Sequence, residues 1–260
     1  MGRMKSADTK AGIVRRHGAR RIGPRGLATA AVAALAAAVT LTACQNVATY
    51  TQSSLVRVID ASYNAQAINV VVEGQTLAAN IGQGTITDYG TFTASNDAPI
   101  KITAATGGTA ILTANGTFQA GHQHSVFLTD NGAASTGYTV TILEDQQTVA
   151  ASEHAAFRFL NQAASTGAVD VYMVPSGSTL ANAIPIVTNL AAGSTAGYIG
   201  FAAQTVTMVI TPTGVTTPKY TSTPLALTGG EVRTVLIMNA QLTSNPPVEV
   251  SMADDAGPQD

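Results

Sequence analysis

The chain has 260 residues, with 13 basic against 15 acidic, a single cysteine and no tryptophan. One cysteine excludes an internal disulfide, so the fold has to rest on hydrophobic burial. The near-balance of charge hides an asymmetry: eight of the basic residues but one acid precede Cys44, leaving five against 14 after it, a net charge of −9. Such a chain excludes nucleic acid as a partner, because affinity there comes from neutralising phosphates.

Residues 1–43 carry the three parts of a secretory signal. A basic n-region is followed by an apolar run over 27–41, too short for a spanning helix of roughly 20 residues. Arg15-Arg16 and Arg20-Arg21 are pairs, but neither has the sequel of a twin-arginine signal. Leu41-Thr42-Ala43-Cys44 then fits a lipobox, in which Cys44 is lipidated and becomes the first mature residue. The expectation is a membrane anchor of several acyl chains on Cys44, with no other cofactor. The cell envelope of a bacterium follows as the location. Gln45 is not the aspartate of inner-membrane retention, which favours the outer membrane in a Gram-negative host.

Residues 44–54 read as a lipidated tether, 55–150 as a first domain, 154–252 as a second, and 253–260 as a disordered acidic tail in which Asp254 and Asp255 are solvated. The two domains repeat one another. Val56-Arg57-Val58-Ile59 matches Phe157-Arg158-Phe159-Leu160, and Ala67 to Val72 matches Ala168 to Met173, both at an offset of 101. Asn80-Ile81 and Tyr89 match Asn189-Leu190 and Tyr198 at 109, as Gly121 to Leu128 matches Gly230 to Ile237. The change of offset places about eight extra residues near 175–184, read as a longer loop. A repeat of that length is a domain duplication rather than a solenoid.

Within the first domain, runs rich in Val, Ile, Thr, Tyr and Phe predict strands at 55–60, 68–73, 85–92, 100–105, 110–118, 125–130 and 138–143. Gly107-Gly108, Asn115-Gly116 and Asn131-Gly132 read as turn signals. Sustained helical periodicity is missing after residue 43. About seven short strands per hundred residues predict an all-β chain of two tandem immunoglobulin-like antiparallel β-sandwiches.

Residues 58–74, Val-Ile-Asp-Ala-Ser-Tyr-Asn-Ala-Gln-Ala-Ile-Asn-Val-Val-Val-Glu-Gly, resemble the opening motif of domain of unknown function 4397. There a Val-Val-His-Ala-Ser-Pro-like strand end leads to an Ala-Val-Asp-Val-Tyr-Val strand, an acid and a glycine. Ala168-Val169-Asp170-Val171-Tyr172 carries the latter part in the second copy. The resemblance implies envelope or secreted bacterial proteins with immunoglobulin-like domains, and no activity. The family's His is replaced by Asp60 and Asn161, and its Pro by Tyr63.

Chemistry-bearing patterns are sparse. His122 and His124 stand two apart on a predicted strand, where both imidazoles share a face and could ligate a metal, with Asp97, Asp130 or His154 as the third ligand. The matching Glu231-Val232-Arg233 cannot repeat that site, and a polar strand start is the stronger reading. Asp60, Asn69, Glu73, Asp88 and Asp170 lie at strand ends where oxygen ligands for Ca²⁺ would sit, but in no EF-hand spacing. Turn-capping or solvated acids carry more weight. The sequence offers no serine elbow and no phosphate-binding glycine loop, so no catalytic residue is assigned and an enzyme is not expected. The expected function is a non-catalytic structural, adhesion or protein-interaction role, with an envelope protein or glycan as partner. The alternative is a glycan- or metal-binding envelope lipoprotein, using the 175–184 loop or the tyrosines.

Overall fold

The computed structural model describes residues 52–62, 66–130, 137–240 and 248–256. Leu41, Thr42, Ala43, Cys44, Tyr63 and the Asn131-Gly132 turn lie outside the described residues.

The first half contains β1 (Ser53–Asp60), β2 (Ile68–Val72), β3 (Gln75–Ile81), β4 (Gly90–Thr93), β5 (Ser95–Ala104), β6 (Ala110–Phe118), β7 (Gln123–Asp130) and β8 (Tyr138–Asp145). They form two sheets, β4-β1-β7-β8 and β3-β2-β5-β6. The second half contains β9 (His154–Gln162), β10 (Val169–Pro175), β11 (Val187–Leu190), β12 (Ser194–Ala202), β13 (Thr205–Pro212), the short β14 (Tyr220–Thr221) and β15 (Leu225–Ala226), β16 (Val232–Asn239) and β17 (Val248–Ala256). Its sheets are β12-β9-β16-β17 and β11-β10-β13, the last strand pairing also with β14 and β15. Each half is therefore an all-β sandwich. Most strand pairs are antiparallel, as expected, but β1 runs parallel to β7 and β9 parallel to β16. The registers correspond: Arg57 stands opposite Ser125 as Arg158 stands opposite Thr234.

Strand alternation sorts side chains between layers. Val56 and Val58 of β1 and Val126 and Leu128 of β7 point into the first core with Ile68, Val70, Ile100 and Ile102. Phe157, Phe159, Val235 and Ile237 point into the second with Val169, Met208 and Ile210. The opposite faces of those four strands are buried too. Ile59, Phe127, Leu160, Leu236 and Met238 form a third apolar cluster where the two inner sheets meet. This explains why β1, β9 and β16 are buried almost throughout rather than at every second residue. The described residues pack as one unit containing all four sheets.

Several boundaries differ from the sequence reading. The strand placed at 85–92 is reduced to β4, and β3 was not foreseen. Asn115-Gly116 lies inside β6, where a Cβ on Gly116 would come within 2.2 Å of Ile142 Cδ1. Ser53 and Ser54 belong to β1, not to a tether. The acidic tail is ordered through Ala256, because residues 253–256 complete β17. Gly107 and Gly108, with φ of 77° and 64°, do turn β5 into β6. The extra loop of the second half carries a 3₁₀ turn, Leu180–Asn182. Leu180 and Ala183 pack on Tyr172, Val174 and Val209, covering the outer face of β10 and β13.

Candidate functional site

The charged residues converge where the inner sheets meet. Arg57 on β1 donates from Nε to Ser125 Oγ at 2.7 Å, and from Nη2 to Asp255 Oδ1 on β17. Ser125 Oγ donates to Asp145 Oδ2 at 2.6 Å. Asp145 in turn accepts Arg158 Nη2 from the second half. Arg158 Nε donates to Thr234 Oγ1 at 3.0 Å, and Thr234 Oγ1 to Asp255 Oδ2 at 2.7 Å. The six side chains close a ring: Arg57, Ser125, Asp145, Arg158, Thr234, Asp255. Each half supplies one arginine, one hydroxyl and one aspartate, and each arginine reaches the other half's aspartate.

Two tyrosines flank the ring. Tyr89 O–H donates to Asp145 Oδ2 at 2.7 Å, and Tyr198 O–H to Asp255 Oδ2 at 2.8 Å. Arg57 lies 4.7 Å from the centre of the Tyr89 ring and Arg158 4.9 Å from that of Tyr198, within cation–π range. A backbone carbonyl also accepts from each guanidinium: Asp254 O from Arg57 Nη1 at 2.9 Å, Glu144 O from Arg158 Nη1 at 3.0 Å. Each aspartate thus accepts three side-chain donors, and two positive charges meet two negative ones.

All four charged groups are buried. Burial works against the Arg57 charge, but Asp145 and Asp255 outweigh it and hold its pKa above the ordinary value. Burial pushes both Tyr89 and Tyr198 well above the usual phenol range, so they remain O–H donors. Taking such a set out of water carries a desolvation cost that opposes its mutual attraction, and the loss of one member leaves the others buried without their partner.

The sites proposed from sequence separate. His124 is buried; its Nδ1 lies 3.0 Å from Ser54 Oγ and its Nε2 accepts the Gln119 N–H at 3.4 Å. Burial lowers its pKa, which favours the neutral ring. His122 is half-exposed and pairs through Nδ1 with Glu144 Oε1 at 2.6 Å. Asp97 is bound to Asn115 Nδ2, His154 opens β9 and Asp130 ends β7. Among the described residues no three His, Cys, Asp or Glu side chains come close enough to hold one metal ion.

The strand-end acids hold turns. Glu73 and Gly74, with φ of 49° and 79°, form the two-residue hairpin between β2 and β3. Asn69 Oδ1 accepts the N–H of Asn80, and Asp170 Oδ1 that of Asn189; both donating asparagines have positive φ. Asp170 Oδ2 also accepts the Gly214 N–H at 3.0 Å. Asp88 is exposed beside the ring. The sequence predicts that Asp254 and Asp255 are solvated. Asp255 is buried in the ring and Asp254 binds Arg233 Nε at 2.7 Å, because β17 carries both beneath the arginines.

Sequence reading gave the ring no role, although its signal was present. Arg57 and Arg158 interrupt apolar strands at one repeat position, and Tyr89 and Tyr198 at another. Glu144-Asp145 and Asp254-Asp255 recur 110 residues apart.

The chain is thus a double β-sandwich with a buried polar ring between its halves. Residues 54–172 match the family model Domain of unknown function (DUF4397), the family whose opening motif the sequence resembles. The match takes in the first sandwich and β9, and ends within β10. No curated protein matches the chain. Among solved structures, CBMbc (family CBM26) from Eubacterium rectale Amy13K in complex with maltoheptaose is similar over 78% of this chain and 98% of that one, at 10% identity and a TM-score of 0.24. A superposition that loose carries no argument about this chain.

Proposed function

We propose that this chain is a lipid-anchored cell-envelope protein whose two sandwiches, tandem copies of one domain, act together as a non-catalytic module for structure, adhesion or protein interaction. The observation that carries this reading is the closed ring. It spends the two arginines, two tyrosines and two aspartates best placed for chemistry on fixing one half against the other. A docked pair of sandwiches holds its loops at a set spacing, which suits a module that presents surfaces to partners. The lipobox ending at Cys44 supplies the anchor, and several acyl chains on one residue would hold it stably.

The test is fractionation of cells producing the full chain or its Cys44→Ala variant, with mass spectrometry of the mature N-terminus. The proposal expects a lipidated Cys44 and membrane association that Cys44→Ala abolishes. A variant that stays with the membrane, or an unmodified cysteine, contradicts it.

A groove of about 390 Å³ beside the ring favours glycan binding as the second reading. Thr87, Asp88, Tyr89, Gln123 and Asp254 line it. Stabilisation of the protein by a panel of envelope glycans, lost in Gln123→Leu, would support it.

A further inference from the structure

Asp60 and Asn161 hold the same place in the two sandwiches. Asp60 ends β1 opposite Leu128, and Asn161 stands on β9 opposite Ile237. Both are fully buried. Asn161 is satisfied at every side-chain atom: Oδ1 accepts the Ala163 N–H at 2.9 Å, and Nδ2 donates to Gly167 O and Leu190 O, each at 2.8 Å. Asp60 makes the same first contact, its Oδ1 accepting the Ser62 N–H at 3.0 Å and the Ser62 hydroxyl as well. Its Oδ2 has no partner and no exposure.

The strand registers explain the difference. Ile81 pairs with Ile68 as Leu190 pairs with Val169, so Ile81 holds the strand position whose counterpart carbonyl, Leu190 O, accepts from Asn161. An ionised Oδ2 has nothing to give an acceptor. A protonated Oδ2–H can donate as the amide does. Asp130, at the end of β7, is the charged group that bears on Asp60 among the described residues, and its repulsion adds to the cost of ionisation. The counterpart of Asp130 is Asn239, so one sandwich carries two acids at this end and the other two amides.

We propose that Asp60 is a buried proton-binding site: the first sandwich is tightest with Asp60 protonated and loosens at the end of β1 when the proton leaves, whereas the second sandwich is built without that dependence. Burial pushes the Asp60 carboxyl from 3.8 up to about 6, against the two hydrogen bonds from Ser62, and Asp130 adds to the rise. A folded pKa above the unfolded one means that the stabilisation is full below about pH 4 and is lost as pH rises through about 6.

The test is thermal and denaturant unfolding of the detergent-solubilised full chain from pH 4 to 8, for wild type, Asp60→Asn and Asn161→Asp. Wild type should lose about a hundredfold in its folding equilibrium constant between pH 4 and 8 relative to Asp60→Asn, following a shift of about two pH units. Asp60→Asn should be the more stable form at pH 8. Asn161→Asp should steepen the profile by importing the acid, and it reads the proposal even where Asp60→Asn folds poorly. The Asp60 carboxyl carbon, followed by NMR, should titrate near pH 6. Superimposable wild-type and Asp60→Asn profiles, or a carboxyl midpoint below pH 4, would overturn the proposal. So would Ca²⁺ raising the melting temperature of wild type but not of Asp60→Asn at pH 8, since the unpartnered oxygen would then serve a cation.

Discussion

The guanidinium of Arg57 binds the carboxylate of Asp255, 198 residues further along the chain. Arg158 and Asp145, 13 residues apart, return the contact in the opposite sense. Two crossings of opposite direction fix a relation between the sandwiches that one contact would leave free to pivot. Ile59, Phe127, Leu160, Leu236 and Met238, from the same inner strands, add apolar contact between the two sheets.

Removing one member of the ring should cost more than removing a matched pair. Arg57→Ala leaves Asp255 buried beside Asp145 and should destabilise by roughly 3–5 kcal/mol, whereas Arg57→Met combined with Asp255→Leu should recover most of that loss. Urea unfolding of Arg57→Met, Asp255→Leu and the double variant measures the coupling. The coupling should change little between low and high salt, because buried pairs are poorly screened.

The flanking tyrosines differ in one respect. Tyr198 O–H donates to Asp255 and its oxygen accepts the Gln146 N–H at 3.1 Å, tying the connecting segment to the ring. Tyr198→Phe leaves both without that partner and should cost about 1–3 kcal/mol. It should also speed amide exchange at Gln146, which Tyr89→Phe should not. Hydrogen exchange read by NMR separates the two.

Gly229 lies where the connecting segment crosses the second sandwich. A Cβ there would come within 1.7 Å of the Ser152 carbonyl oxygen, and backbone cannot yield as a side-chain tip can. Gly229→Ala should destabilise by at least about 1–3 kcal/mol, the usual cost of overpacking. The matching position of the first sandwich is already Ala120, so Ala120→Gly should change the melting temperature little.

The loop between β10 and β11 covers an apolar patch. Leu180→Ser should expose Tyr172, Val174 and Val209 and increase binding of a hydrophobic dye, with a small fall in melting temperature. Ile184→Ser should do neither, since Ile184 is 84% exposed.

The sequence reading succeeds where structure follows from local pattern. Runs of strand-favouring residues in 55–60 and 138–143 mark β1 and β8, and Gly107-Gly108 marks a turn, because strand propensity and positive φ are properties of neighbouring residues. It misses β3, whose Gln, Ala and Asn residues have little strand preference; pairing with β2 makes it a strand. Asn115-Gly116 has turn composition, yet pairing with Ala98 and Pro99 keeps it extended. Asp255 reads as tail because its neighbours are acidic and small, while its burial depends on an arginine near the other end of the fold. The ring needs the repeat and the parallel pairing together, and no local window contains either.

Calorimetric unfolding of the detergent-solubilised full chain tests the central claim most directly. If the ring and its apolar surround bind the two sandwiches into one cooperative unit, wild type should melt in a single transition with equal calorimetric and van't Hoff enthalpies, and Arg57→Ala should lower or split that whole transition. Two resolved transitions in wild type, with Arg57→Ala moving only the one that belongs to the first sandwich, would contradict it.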